Sequence, residues 1–363
     1  MRAPGRQHFT YREQLSALIL ALAITLAVVA CDDGGRNGTK PEASRTGSDP
    51  PGAAEPSLVA GSLDPRMGEG ADLFEVDADH AEYWRMFTLD RYDGELWTST
   101  YPNGSVGGVT LSAPATLPRH GGDPAWGETL IQTFRILSDF ESLHSLPMAQ
   151  TAEKITGPIG DISWDPARSQ AFVDGRLEAG MEYTVRSRIV VPTPEELDRV
   201  VHQAPRTYGQ WTELPELDER IGEIAERWTA DATSSYRKVL AIQERFHNGD
   251  FVYSTDVEAT VDGDSLLEFL TRTRTGFCQH YTAAMTVLVR ELGFPARIAV
   301  GFRSGTKQED GGYLVRTGDA HVWVEVLFPG YGWLQFEPEP GPAPHPNAKA
   351  GTYLKPVAST DAS

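Results

Sequence analysis

Cysteine is nearly absent. The 363 residues hold two, Cys31 and Cys278. That excludes a disulfide-built scaffold, and a bridge between the two would tie a terminal segment to the interior of the chain, so each is read on its own. Positive charge is also scarce: 32 Lys and Arg stand against 51 Asp and Glu, for a net charge of −19. A polyanion partner is disfavoured, and nucleic acid drops out as a ligand class. No apolar run is long enough to span a membrane. Leu15–Ala30 gives 16 residues, and a spanning helix needs roughly 20. There is no CxxC, no HExxH and no repeat at a fixed period. No metal centre is expected, and nothing in the chain demands a cofactor. Asp262-Gly263-Asp264 lacks the spaced acids and distal glutamate of a calcium loop, so it reads as a turn and helix cap.

What is present concentrates between Gly276 and Pro338. Cys278 follows Gly276-Phe277 and opens an apolar run in which Tyr281, Met285, Leu288 and Leu292 recur at helical spacing. Gly293 and Pro295 end it. A cysteine at a helix start meets unpaired N–H groups and the positive end of the dipole, which favours thiolate. His321 begins His321-Val-Trp-Val-Glu-Val-Leu-Phe328, a strand signal that puts Trp323 and Glu325 on the histidine's face. Phe328-Pro-Gly-Tyr-Gly332 turns the chain, and Trp333–Glu337 returns. A hairpin centred on Gly330 sets Glu339 across from His321 and Glu337 on the diagonal. A centre at Pro329 sets Glu337 directly across. Either carboxylate can accept Nδ1–H of the imidazole and orient it. Pro338 limits the strand and favours Glu337. Asp319, Glu325 and Glu339 remain rival orienting acids. The set is that of a thiol nucleophile, a base and an orienting acid: Cys278, His321 and Glu337.

The segments GFCQHYTAAMTVLVRELGFPARIAVGF, DAHVWVEV and GWLQFEP resemble the transglutaminase core, a papain-like cysteine fold, in its bacterial envelope form. The resemblance covers about 130 residues with three motifs in order. It implies an α+β fold, a helix bundle plus antiparallel sheet, with Cys278 as nucleophile and His321 as base. Glu337 stands where the family usually has Asp, and Glu339 where it usually has Thr. The family includes cross-linking enzymes, peptidases, amidases and inactive members.

The rest of the chain fits around that core. Residues 1–31 carry an arginine-flanked apolar run whose Val28-Val-Ala-Cys31 end resembles a lipoprotein signal, implying lipidation at Cys31. The alternative is an uncleaved signal anchor. Both place the remainder in the bacterial cell envelope, membrane-attached on its outer or periplasm-facing side. Residues 32–66 read as a Gly-, Ser- and Pro-rich tether. Residues 67–195 are β-rich and sandwich-like, with strands at Tyr83–Leu89, Glu95–Thr98, Thr129–Leu137, Gln170–Val173 and Met181–Val191. Trp84, Trp97 and Trp164 read as core packing there rather than a binding face. Residues 196–214 read as a linker, 215–340 as the catalytic domain and 341–363 as a disordered tail. In the catalytic region, Leu217, Ile221, Ile224 and Trp228 mark one amphipathic helix, and Val239, Ile242 and Phe246 a second. Ser265-Leu-Leu-Glu268 reads as the capping box that starts a third. The expected activity is thiol acyl transfer on protein or peptide amides. The alternative is an idle scaffold that binds peptide or wall polymer. The Cys278 backbone N–H is the natural first oxyanion donor, and Gln243 and Gln279 are open as the second.

Overall fold

The structure is a computed structural model that describes residues 70–100, 108–119, 124–140, 143–201, 206–258 and 260–340. The leader with Cys31, the tether at 32–66 and the tail at 341–363 lie outside the described residues.

The architecture is α+β, and its centre is the helix Cys278–Glu291. Thirteen of its fourteen residues are buried, so it is enclosed rather than amphipathic. Helices Glu219–Trp228 and Ser235–His247 lie on one side of it. Their buried stripes are Ile221, Ile224 and Ala225, and Val239, Ile242 and Phe246. Asp218 and Ser234 cap them through side-chain oxygens that accept backbone N–H bonds. On the other side lies a four-stranded antiparallel sheet in the order Gly332–Phe336, Ala320–Phe328, Ala296–Phe302, Trp84–Leu89.

That order shows how the two halves of the chain are joined. Trp84–Leu89, from the β-rich part of the chain, is the edge partner of Ala296–Phe302. In return, Tyr313–Arg316 and Thr306–Lys307 extend a seven-stranded sheet through Asp72–Ala78, followed by Glu128–Ile136, Glu182–Ile189, Ala152–Thr156 and Ala115–Thr116. The segment Arg303–Gly311 therefore carries an edge strand. The two sheets meet through aromatic side chains. Phe74 is edge-on to Phe302 at 5.2 Å, and Trp84 is edge-on to Phe134 at 5.5 Å. Trp84, Trp97 and Trp164 are all core residues, none above 1% exposed.

Two local readings shift. The third helix runs Gly263–Glu268, and its cap is Asp262 rather than Ser265. Asp262 accepts the Ser265 N–H at 3.0 Å and the Ser265 hydroxyl at 2.6 Å, so the carboxylate outcompetes the serine for the capping position. Residues 206–211 form a 3₁₀ turn, and Trp211 packs edge-on against Trp333 at 5.2 Å. No helix among the described residues is long and apolar enough to cross a membrane.

Candidate active site

Cys278 is the first residue of its helix, capped by Phe277. The entry into the helix is held by His280. Its Nε2 lies 2.9 Å from the Glu258 carbonyl, and its Nδ1 accepts the Phe277 N–H at 3.4 Å. This fixes a neutral tautomer with the proton on Nε2, so His280 supports the turn. The turn tolerates only glycine at 276, because a Cβ there would lie 2.8 Å from the His280 ring. One turn into the helix, the Thr282 hydroxyl donates to the Val322 carbonyl at 3.2 Å, tying the cysteine helix to the histidine strand.

His321 sits near the start of Ala320–Phe328 and is fully buried. The hairpin register runs Val324↔Phe336 to Phe328↔Gly332, so the turn is centred on Gly330. Glu339 thus continues the register across from His321, and Glu337 is the diagonal neighbour. The imidazole chooses the diagonal acid: His321 Nε2–H donates to Glu337 Oε2 at 2.6 Å. The expected contact was through Nδ1. The bond forms through Nε2, and the ring turns its Nδ1 edge toward Glu339. His321 Nδ1 has no hydrogen-bond partner and lies 3.9 Å from Glu339 Oε2. The Cys278 sulfur, a His321 ring nitrogen and a Glu339 carboxylate oxygen all lie within 4.8 Å of one another.

The rival acids are placed elsewhere. Glu325 is fully buried between Arg85 and Arg297, at 3.1 and 2.7 Å. Asp319 accepts the Arg316 N–H at 2.8 Å in a local turn. Gln243, one of the two open oxyanion candidates, turns its Oε1 to the Glu337 N–H at 2.9 Å, so that oxygen fixes the acid's backbone. Gln279 is buried with its Oε1 unpartnered.

Three further residues complete the site. Tyr83 donates its hydroxyl to Glu337 Oε2 at 3.3 Å and sets its ring edge-on to His321 at 5.5 Å. Trp323 stacks near-parallel on His321 at 6.2 Å. Arg303 donates to Glu339 Oε1 at 2.8 Å. Trp323 was placed on the histidine's face by strand alternation alone. Tyr83 and Arg303 carry no local signal, because their partners are 254 and 36 residues away.

The electrostatics are those of a buried, negatively weighted cluster. Burial opposes ionisation of Glu337, but His321 and Arg303 outweigh it and hold the carboxyl below its ordinary value. Burial and the Glu337 charge push Glu339 above its ordinary value, against His321 and Arg303. Arg303 stays charged, since Glu339 and Glu337 overcome its burial. For Cys278 the expected thiolate-favouring environment is reversed. Burial first, then Glu339 and Glu337, push the thiol well above its ordinary value, while Arg303 and the Val322 backbone act the other way. Burial, with two carboxylates added to it, opposes the thiolate that a helix start favours.

Residues 222–338 match the family profile of the transglutaminase-like superfamily core, and residues 12–194 match that of the TgpA N-terminal domain. The chain is 30% identical over 264 residues to a protein-glutamine gamma-glutamyltransferase of Pseudomonas aeruginosa, covering 70% of this chain and 35% of that protein. It is 28% identical over 323 residues to the uncharacterized protein YebA of Bacillus subtilis, covering 80% of this chain and 42% of that one. It therefore spans less than half the length of either relative. In three dimensions it is similar to the periplasmic domain of TgpA from Pseudomonas aeruginosa, crystallised bound to ethylmercury. The TM-score is 0.58 at 25% identity, covering 79% of this chain and 96% of that one. The chain belongs to the transglutaminase-like superfamily, in the form that joins its core to a TgpA N-terminal domain.

Proposed function

We propose that the protein is a cell-envelope thiol acyl-transfer enzyme acting on protein or peptide amides, with Cys278, His321 and Glu337 as its catalytic set. One observation carries the reading. His321 commits Nε2–H to Glu337 at 2.6 Å, leaves Nδ1 buried without a hydrogen-bond partner, and brings a ring nitrogen within 4.8 Å of the Cys278 sulfur. A base needs that arrangement: one nitrogen fixed, the other free to take a proton. Cys278 Sγ bonds to the amide carbonyl carbon while its proton passes to His321 Nδ1. The C–N bond then breaks, and the same proton leaves with ammonia or the amine. Water or a primary amine attacks the thioester, loses its proton to His321, and the thiol is restored. Glu337 holds the ring throughout. The Cys278 N–H at the helix start supplies one oxyanion donor.

Homology to a protein-glutamine gamma-glutamyltransferase supports glutamine side chains as the acyl donor. The periplasmic placement of the TgpA domain supports an envelope location, and lipidation at Cys31 is the proposed anchor. One observation favours a second reading, an idle scaffold that binds peptide or wall polymer: burial and the two carboxylates keep the Cys278 thiol protonated at rest.

The test is incubation with a glutamine-donor peptide and a labelled primary amine, following ammonia release and amine incorporation. Loss of both in Cys278→Ala is expected. Ammonia release without incorporation makes the enzyme an amidase. Neither product, with Cys278 labelled by alkylators equally fast in wild type and His321→Ala, supports the scaffold and ends the catalytic reading.

A further inference from the structure

We infer that Cys278, His321 and Glu339 form a site for a thiophilic divalent cation of the zinc type, which reversibly shuts the enzyme. The three ligand atoms lie within 4.8 Å of one another: a thiol sulfur, an imidazole nitrogen and a carboxylate oxygen. These are the ligand types zinc takes, at about 2.0–2.3 Å each, and three protein ligands with an open fourth position is a common zinc pattern. Two of the atoms are buried without a hydrogen-bond partner and face each other at 3.9 Å: His321 Nδ1, on a side chain that is 0% exposed, and Glu339 Oε2. Buried polar atoms without partners are uncommon, and two that converge on one sulfur point to a ligand between them.

The surrounding groups fit a cation as well. The His321 nitrogen facing away from the cluster donates to Glu337 at 2.6 Å, the carboxylate–histidine arrangement that orients a zinc-bound imidazole. Glu339 is held by Arg303 through its other oxygen, at 2.8 Å. Arg303 itself repels a cation. Yet two carboxyl groups, Glu337 and Glu339, stand beside the sulfur against that one guanidinium. On binding, the thiol proton is released to solvent and the metal takes its place. Closing the set requires Glu339 to approach His321, now 3.9 Å away, because ligands around one zinc sit roughly 3.3–3.7 Å apart at those bond lengths. Calcium and magnesium prefer six or more oxygens and are not matched by a sulfur and a nitrogen.

Glu339 is the one ligand of the three that lies outside the proposed catalytic set. The metal would take the nucleophile and the proton-accepting nitrogen together, so binding and acyl transfer exclude one another. This consequence rests on the functional reading above, whereas the binding itself rests on geometry alone.

The experiment titrates zinc chloride into the full chain and follows iodoacetamide labelling of the Cys278 peptide by mass spectrometry, so that Cys31 does not contribute. Zinc is expected to protect Cys278, while calcium and magnesium in large excess do not. Glu339→Gln should raise the zinc midpoint by about tenfold or more, measured against that variant's own zinc-free rate. Cobalt(II) should give a thiolate charge-transfer band in the near ultraviolet that is lost in Cys278→Ser. Equal zinc midpoints in wild type and Glu339→Gln, equal protection by calcium, or no cobalt band would each overturn the inference. If zinc fails to protect while zinc-free labelling still depends on His321, only this inference falls. If zinc protects while zinc-free labelling ignores His321, only the catalytic reading falls.

Discussion

Glu339 adds to the burial that raises the Cys278 thiol. Burial is the main cause that raises the Cys278 thiol, and the Glu339 charge is the next. Removing that charge lowers the thiol pKa, so Glu339→Gln should move the alkylation curve of Cys278 to lower pH and speed labelling at neutral pH. An unmoved or higher midpoint would show that burial alone sets the thiol. Tyr83 acts one step away, through Glu337. Tyr83→Phe removes a single hydrogen bond to that carboxylate, a loss of about 0.5–1.5 kcal/mol. It keeps the ring that packs edge-on to His321. A modest fall in kcat with KM unchanged is expected, and a Tyr83→Ala variant should lose far more. Equal losses in both would assign the hydroxyl the whole effect and leave the ring without a role.

At the scale of elements, the site depends on a close approach of two strands. A Cβ at Gly301 would lie 2.2 Å from the Trp84 carbonyl oxygen, so the pairing of Ala296–Phe302 with Trp84–Leu89 needs glycine there. Gly301→Ala should destabilise the fold by about 2 kcal/mol or more in urea denaturation. Asp262→Ala, which removes a helix cap, should cost only about 1 kcal/mol. If the two variants melt alike, the strand contact is not a constraint. The same contrast explains what could be read from the sequence. The Cys278 helix and a hairpin that brings Glu337 and Glu339 to His321 follow from local spacing, whereas the choice between turn centres at Gly330 and Pro329 is made by the strand register. The histidine's choice of Nε2 depends on ring orientation, which spacing does not encode. The exchanged strands join residues more than 200 positions apart in sequence, and short runs such as Tyr313–Arg316 do not specify their neighbours. Tyr83 was missed for that reason, and Arg303 because its partner lies 36 positions on, outside any local pattern. The reversal of the thiol environment was missed because it comes first from burial and then from charges brought in by folding.

Over the whole molecule, the transglutaminase-like core is stabilised from outside its own stretch of sequence. Glu325 is fully buried between Arg297 of the core and Arg85 of the β-rich region. Glu325→Gln would leave two buried guanidiniums short of their counter-charge, a loss on the order of 3–5 kcal/mol. Burial opposes the Glu325 charge, but Arg85 and Arg297 outweigh it, so its folded pKa is depressed. A depressed carboxylate pKa gives stability that is fully present above the ordinary glutamate range and is lost as pH falls through the folded value. Wild type should therefore lose stability below the ordinary glutamate range more steeply than Glu325→Gln, as followed by melting at stepped pH. Parallel curves would remove the ion triad from the account. The strand exchange makes a further claim. A fragment beginning at residue 215 lacks the edge strand Trp84–Leu89 and leaves Ala296–Phe302 unpaired on that side. It should not fold cooperatively, whereas a fragment beginning at residue 70 carries every described strand. A cooperative melt of the shorter fragment would contradict the interlocked arrangement.

The central claim is that Cys278, His321 and Glu337 act as one unit, and the most direct measurement is the rate of Cys278 alkylation across pH in wild type, His321→Ala and Glu337→Gln. If His321 takes the thiol proton, labelling at neutral pH should fall by about tenfold or more in His321→Ala, the equivalent of at least one pKa unit. It should fall by less in Glu337→Gln, which keeps the ring but loosens its orientation. Identical rates in all three proteins would contradict the account and leave a buried thiol in a transglutaminase-like scaffold.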